Sequence, residues 1–358
     1  MLKNTDKKSV LIGMSGGVDS SVAALLLKES GYNPLGVTLK LHSISSGEIQ
    51  KLCGSMVDAV DAAKVCENLG FKHFTFDFEE KFKSFVMERF VRDYRLGKTP
   101  NPCIECNRYI KFKEMENKLA ELSADFIATG HYAKIEKVGD RYFLTKPKDK
   151  AKDQTYVLYM LSQQTLSHTL FPLGDLSKEE VRKIAEQNGF SNANKPDSQD
   201  ICFVPDGDYA KFITGYDHLP LSIGNFVDGS GKVLGTHKGT EKYTIGQRKG
   251  LGMGFGKPMF VVKKDIENKS VILGDEELLF TKRIIVNSAT FSAFDTLTAP
   301  IKCSGKIRYR QREEQCTIHP LDENTVLAEF ENPQRAPAPG QAAVFYDGDT
   351  LLGGGTIV

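Results

Sequence analysis

Three short stretches hold residues that could do chemistry. The first is Ser15-Gly16-Gly17-Val18-Asp19-Ser20, set between the apolar run Val10-Leu11-Ile12 and a helical stretch over 21–28. Such a run is the pattern of a buried strand, and Ser20 is placed to cap the helix with Gly31 just past its end. Strand, glycine turn and helix together make an anion site. Glycines let the backbone approach a phosphate, and the helix start offers unbonded N–H groups and partial positive charge. The competing reading is a tight turn that binds nothing. The second stretch is Thr99-Pro100-Asn101-Pro102-Cys103-Ile104-Glu105-Cys106-Asn107. Its prolines favour an extended loop that leads into a helix over 111–122. A thiol there, near a helix start and beside Arg108 and Lys111, gains thiolate character. Half a zinc site, a thioredoxin-type pair and an inert surface pair are the other readings. No second CxxC or paired histidine follows to complete a zinc site, so no metal ligands are assigned. The third is Lys195-Pro196-Asp197-Ser198-Gln199-Asp200-Ile201-Cys202-Phe203, a lone cysteine in a long polar loop of the kind that is often functional.

Two familiar phosphate loops do not fit. A Walker A loop ending at Gly97-Lys98-Thr99 would need glycine where Arg92 stands, and Gly13, Gly16 and Gly17 lack the GxGxxG spacing. SGGVDSS instead resembles the PP-loop of the ATP pyrophosphatases, which cleave ATP to AMP and pyrophosphate.

The elements that must position these residues follow from periodicity. Strands are expected over 35–39, 73–78 and 125–129, with helices over 57–66 and 82–96 between them. Phe82, Phe85, Phe90 and Tyr94 form an aromatic stripe that reads as core, and Cys66 reads as a small core residue. The order βαβαβαβ predicts an α/β doubly wound parallel sheet, with its ligand crevice at the strands' carboxyl ends. A polar loop is expected over 42–54, a hairpin over 135–145 around Gly139-Asp140, and helices over 154–167 and 178–188. From about residue 215 short β-like runs alternate with turns, which predicts a small β-rich central domain and then a β-barrel. The expected domains are 1–214, 215–278 and 279–358.

With 358 residues there is ample chain for two or three cores, and a net charge of +1 confines any RNA surface to a local patch. No apolar run approaches a membrane span and Met1-Leu2-Lys3-Asn4 does not begin a signal peptide, which predicts a cytoplasmic protein with no membrane partner. Seven cysteines in that compartment read as free, catalytic or metal-bound rather than as structural disulfides.

The pieces GMSGGVDSS, TPNPCIECNRYIKF, ATGHYA, KDQTYVL, KPDSQDICF, YTIGQRKGLG, KIRYRQ and RAPAPGQAAVFYDGDTLLGGG together resemble the tRNA-specific 2-thiouridylases (tRNA-uridine 2-sulfurtransferases), nearly end to end. The resemblance implies ATP and Mg²⁺ as cofactors and tRNA as partner. A cysteine desulfurase or sulfur-relay protein would be the sulfur donor. It places the ATP phosphates on Gly13, Met14, Ser15, Gly16, Gly17, Val18, Asp19 and Ser20, the adenine by Leu39, and Gly130 at the nucleotide's border. Cys106 matches the nucleophile and Cys202 the persulfide carrier. Asn101, Pro102 and Cys103 border the target base. His131, Lys152, Asp153, Gln154, Arg308, Tyr309 and Gln341 match tRNA contacts. Without the resemblance, the charge run 148–153 and the Arg308-Tyr309-Arg310 strand would read as solvated surface.

The implied activity is 2-thiolation of the wobble uridine. Adenylation of the uracil C2 oxygen turns a poor leaving group into AMP, and persulfide sulfur displaces it. One departure stands out: many members carry Asp where this chain has Cys103. The trio Cys103, Cys106 and Cys202 is similar to the cluster-binding cysteines of tRNA 2-thiocytidine synthetases, so an iron–sulfur cluster replacing the persulfide relay is one alternative. A PP-loop amide ligase acting on a small molecule is another, and a tRNA-binding module with a vestigial nucleotide site a third.

Overall fold

The computed structural model describes residues 7–42, 56–195 and 201–358. Apart from His42, the polar loop expected over 42–54 lies outside the described residues, as do 196–200 of the third chemical stretch. The chain folds as two compact units. The α/β unit comprises Met1–Val86, Cys103–Pro205 and Asp349–Leu351, and the β-rich unit Met87–Pro102, Asp206–Gly348 and Leu352–Val358.

The α/β unit opens with β1 (Ser9–Gly13), α1 (Val18–Glu29), β2 (Asn33–Lys40), α2 (Met56–Leu69), β3 (His73–Asp77) and α3 (Glu79–Phe82). After a π-helical turn over Lys83–Met87 the chain enters α4 (Glu88–Arg95), which belongs to the β-rich unit. It returns along α5 (Pro102–Cys106), a second π-helical turn (Asn107–Phe112), α6 (Lys113–Glu121), β4 (Phe126–Ala128), the hairpin β5 (Lys134–Val138) and β6 (Arg141–Thr145), α7 (Gln163–Ser167), β7 (Thr169–Leu170) and α8 (Lys178–Gln187).

The sheet order is β3-β2-β1-β4-β7, and every pairing is parallel. Strands β2 and β3 are laid down on one side of β1, and β4 on the other. The order therefore reverses between β1 and β4, where loops diverge and leave a crevice at the carboxyl ends. The turn after Gly13 opens into that crevice. Burial explains why this run forms a strand, since Val10, Leu11 and Ile12 are fully buried, with Val10 and Ile12 packed among α1, α2 and α8 residues. Cys66 is in that core as expected, its thiol pushed up to about 12 by burial.

Four local expectations are corrected. The 82–96 helix is broken by a π turn; Phe82, Phe90 and Tyr94 are buried, while Phe85 is exposed and stacked on Tyr109 at 5.1 Å. The 154–167 helix is two pieces, a 3-10 turn over Thr155–Leu158 and then α7, because Ser162 starts a new helix by accepting the Thr165 N–H at 3.1 Å. The cysteine stretch turns helical at Pro102 itself, since proline lacks only a donor that a helix start cannot use. Finally, the N-cap of α1 is Gly17, with no side-chain cap; Ser20 lies in the first turn.

In the β-rich unit α9 (Tyr209–Asp217) precedes β8 (Gly224–Val227), β9 (Val233–His237), β10 (Phe260–Asp265) and β11 (Ser270–Gly274), which form a four-stranded sheet in the order β10-β11-β8-β9. Phe226, Tyr243, Val261, Val271 and Leu273 fill its core. Next come β12 (Phe280–Phe291), β13 (Ile301–Lys306), β14 (Glu314–Pro320), β15 (Val326–Arg335), β16 (Ala342–Asp347) and β17 (Thr350–Ile357). They run β12-β15-β14-β13-β16-β17, and β12 pairs with β17 to close the barrel. Register shifts in β12 at Thr281/Arg283 and Asn287/Thr290 bend the strand as it serves two partners. Arg95 of α4 is a clamp for this unit. Its guanidinium meets Asp217 through two 2.9 Å bonds, Glu241 at 2.7 Å, and the Leu219 and Pro220 carbonyls at 2.9 Å each. All members of that set are inside the β-rich unit, and sequence reading gave no sign of it.

Candidate active site

The glycine turn is built by backbone and hydroxyl contacts rather than by a side-chain cap. Met14 continues β1, donating its N–H to the Val37 carbonyl at 2.8 Å, while the Thr38 hydroxyl donates to the Met14 carbonyl at 2.9 Å. Ser20 Oγ accepts the Ser15 N–H at 3.2 Å and donates to the Gly17 carbonyl at 3.1 Å. Ser21 Oγ also donates to Gly17 O, at 3.0 Å. These bonds fold Ser15–Ser20 back over the start of α1. Gly17 carries no side chain that could cap the helix, so the first-turn N–H groups are left for an anion.

Two glycines are required there. Gly16 has φ +67°, and a Cβ on it would lie 2.8 Å from the Asp58 carbonyl. Gly130, at the end of β4, packs so closely that a Cβ would lie 2.9 Å from Asp19 C and Ser20 N. Gly130 thus lets β4 and the helix start meet across the switch point.

Polar side chains surround the turn. Asp19 accepts both bonds of the Lys178 ammonium, at 2.7 and 2.8 Å, and the Tyr132 hydroxyl at 2.9 Å. Asn192 donates to Gly16 O at 3.1 Å and Ser21 Oγ at 2.9 Å, while its own buried Oδ1 has no partner among the described residues. Lys195 reaches Asp58 at 2.9 Å, Asp61 at 3.4 Å and Gly16 O at 3.4 Å. Burial opposes the Lys195 charge, but the two aspartates hold its pKa above the ordinary value. Sequence reading missed Tyr132, Lys178 and Asn192. Leu39, expected by the adenine, is buried at the end of β2.

The two cysteine stretches differ in exposure. Cys103 is exposed on the first turn of α5, Cys106 is 7% exposed one turn on, and Cys202 is half-buried. Asn107, next to Cys106, is fully buried; its Nδ2 donates to the Val157 carbonyl at 2.9 Å and its Oδ1 has no partner among the described residues. Among the described residues no three His, Cys, Asp or Glu side chains are grouped to hold a metal, so the three cysteines are not gathered into a ready cluster cradle.

The expected RNA contacts are distributed over both units. In the α/β unit Lys152 is half-buried, and Asp153 is buried with its carboxylate accepting the Thr155 N–H at 3.0 Å and hydroxyl at 2.6 Å. Gln154 Oε1 accepts the Tyr132 N–H at 2.8 Å. His131 is inside, 8% exposed, bonded through Nδ1 to Thr129 Oγ1 at 2.8 Å and packed on Phe112 and Phe171. Burial and then the nearby Lys111 push its pKa well below the usual range, so the ring is neutral.

In the β-rich unit Tyr309 is 39% exposed, and Arg308 Nη2 donates to the Arg335 and Ala336 carbonyls at 3.2 and 2.5 Å. Gln341 Nε2 donates to Thr99 O at 2.7 Å, and the Thr99 N–H donates to Pro339 O at 2.7 Å. The loop before β16 therefore grips the segment that leads to Asn101 and Pro102.

A family model described as the tRNA methyl transferase HUP domain matches residues 8–206. The companion PRC-barrel domain matches 211–275, and the aminomethyltransferase beta-barrel domain matches 281–357. The tRNA-specific 2-thiouridylase MnmA of Clostridioides difficile (strain 630) is 48% identical over 353 residues, covering 98% of both chains. The chain belongs to the tRNA-specific 2-thiouridylase family. Its counterparts from Lachnoclostridium phytofermentans and Clostridium acetobutylicum, of the same name, are each 47% identical and cover 98% of this chain and 99% of their own. The fold agrees with that membership, with a parallel sheet, a central β domain and a closed barrel. Among the described residues no helix is long and apolar enough to cross a membrane.

Proposed function

We propose that this 2-thiouridylase-family chain thiolates C2 of the wobble uridine in tRNA at the expense of ATP. The observation that carries the reading is the uncapped glycine turn at the sheet's switch point, in the unit that also holds Cys106 and Cys202. The methyl transferase wording of the family models fits less well, since methyl transfer needs neither an ATP anhydride nor two cysteines.

The turn residues 13–20 hold the triphosphate, and the backbone N–H groups of α1 face the phosphate oxygens. The uracil C2 oxygen attacks the α-phosphorus and pyrophosphate leaves. The terminal sulfur of a persulfide on Cys202 then attacks C2 and expels AMP. Cys106 thiolate attacks the Cys202 sulfur, the S–S bond to the base breaks, and 2-thiouridine leaves with a Cys106–Cys202 disulfide behind it. A thiol reductant resets the pair. The sulfur comes from a cysteine desulfurase or relay protein, and the enzyme acts in the cytoplasm. The base must be turned out of its stack to reach these groups, so splayed anticodon bases and loop shape set specificity.

Magnesium would be held by the phosphates and by Asp19, the carboxylate in the first turn of α1, whose two oxygens here both accept from the Lys178 ammonium. When bound it neutralises charge on the departing pyrophosphate. Among the described residues Cys103, Cys106 and Cys202 are not grouped as a three-ligand metal site, which favours the persulfide relay over a cluster.

The test supplies purified protein with ATP, an anticodon stem–loop, a cysteine desulfurase and cysteine. Expected products are AMP, pyrophosphate and RNA with one oxygen replaced by sulfur. ADP and phosphate would sink the reading. Cys202→Ser should abolish thiolation, which an amide ligase would survive. Cys103→Ser should keep it, whereas a cluster enzyme would lose activity.

A further inference from the structure

Residues 149–154, where RNA contacts are proposed, are tied to the glycine turn at two separate points inside the α/β unit. At the first, Tyr132 and Gln154 exchange bonds. The Tyr132 N–H donates to Gln154 Oε1 at 2.8 Å, and the Gln154 N–H donates to the Tyr132 carbonyl at 3.1 Å. The hydroxyl of the same tyrosine donates to Asp19 Oδ1 at 2.9 Å. At the second, the Lys178 backbone N–H donates to Asp149 Oδ2 at 3.0 Å, and its ammonium meets both Asp19 oxygens at 2.7 and 2.8 Å. The other Asp149 oxygen takes the Ala151 N–H at 3.1 Å, holding the 3-10 turn Lys150–Lys152.

Each bridge is a single residue, with its backbone on one segment and its side-chain tip on Asp19. Neither is loosely held. Tyr132 is 2% exposed, and the Lys178 side chain is 12% exposed. Lys178 opens α8, whose start is fixed by the Ser177–Glu180 capping box. A displacement of Asp149 or Gln154 therefore reaches Asp19 through side chains that are hydrogen-bonded at both ends.

We propose that Tyr132 and Lys178 are positioning residues that couple RNA docking on 149–154 to the setting of Asp19 in the nucleotide turn, so that RNA and ATP bind cooperatively. The proposal rests on the thiolation reading above. By linkage the effect is mutual: RNA tightens nucleotide binding by the factor by which nucleotide tightens RNA binding. Its consequence is that the reactive turn is fully set only when an acceptor base is present.

The test measures the affinity of the full-length protein for a non-hydrolysable ATP analogue, with and without a saturating anticodon stem–loop. Wild type should bind the analogue about 5- to 150-fold tighter with RNA present, the usual span of such coupling. Tyr132→Phe keeps the Asp19–Lys178 pair and should keep most of the RNA-independent affinity while losing most of the gain; Lys178→Met strips Asp19 of that cation, so it is read only as the ratio of affinities with and without RNA, which should fall towards one. The double variant should lose little more than either alone, because both act on one carboxylate. Tyr132→Phe is nearly isosteric and serves if Lys178→Met melts early. An undiminished gain in both variants, or no gain in wild type, overturns the proposal. A wild-type protein that makes no 2-thiouridine in the preceding assay defeats the thiolation reading instead, and takes the coupling with it.

Discussion

Position 16 accepts no side chain without strain. Its φ of +67° favours glycine, and a Cβ would press on the Asp58 carbonyl at 2.8 Å. Gly16→Ala should therefore destabilise the protein by about 1–3 kcal/mol and weaken nucleotide binding further, read by urea denaturation and by titration with an ATP analogue. Unchanged values for both would mean the turn does not need that backbone. His131 has a different signature. Its folded pKa lies far below the ordinary value of 6.5, so between the two the unfolded chain binds the extra proton. Stability should be whole above about pH 6.5 and decline as pH falls below it. Denaturation midpoints between pH 5 and 8 report this, and His131→Gln should flatten the decline. Asn107 offers a third residue-scale test. Replacing it with Ala strands the Val157 carbonyl and should cost about 1–3 kcal/mol in the same assay.

At the scale of elements, β10 carries a half-buried lysine. Desolvation lowers the Lys264 pKa from 10.5 to about 8, although its ammonium donates to the Tyr243 carbonyl at 2.9 Å. Because the unfolded chain keeps its proton longer, stability should rise with pH from about 8 towards 10.4, and Lys264→Met should remove the rise. A slope of opposite sign would refute the assignment. Periodicity was a sound guide to the long elements. Strands β1 to β4, α8 and the late β modules were legible from their periodicity, and the β5–β6 hairpin from its Gly139-Asp140 turn rather than from a buried face. Elements decided by a single contact were not. Ser20 has the chemistry of a cap, yet Gly17 takes that place because Ser20 bonds back to Ser15 and Gly17. Two-residue β7 has too little sequence to show a period. Tyr132 and Lys178 look ordinary in the chain, since their shared target, Asp19, lies 113 and 159 positions away. Arg95 is equally silent, with partners 122 and 146 residues downstream.

At the scale of the molecule, the β-rich unit gathers three separate stretches of chain, the first of them Met87–Pro102 and the last Leu352–Val358. Segment 97–102 belongs to it, held by Pro339 and Gln341, and Gly340 approaches so closely that a Cβ would lie 2.9 Å from Lys98 Cβ. Gln341→Ala should loosen that segment. Thiolation kcat/KM for RNA should fall about 10- to 100-fold, as expected when a positioning contact is lost, with ATP-analogue affinity unchanged. Loss of both in parallel would point to general unfolding instead. Family-level motifs made the cysteines and the glycine turn legible, but this grip joins two stretches that carry no mutual signal in the sequence. The grip also sets a timetable for biosynthesis. A ribosome must deliver almost the entire polypeptide before the stretch ahead of Pro102 meets its anchor. A chain grown only to residue 205 has Asn192 and Lys195 on its nucleotide turn and should still leave every passing tRNA untouched.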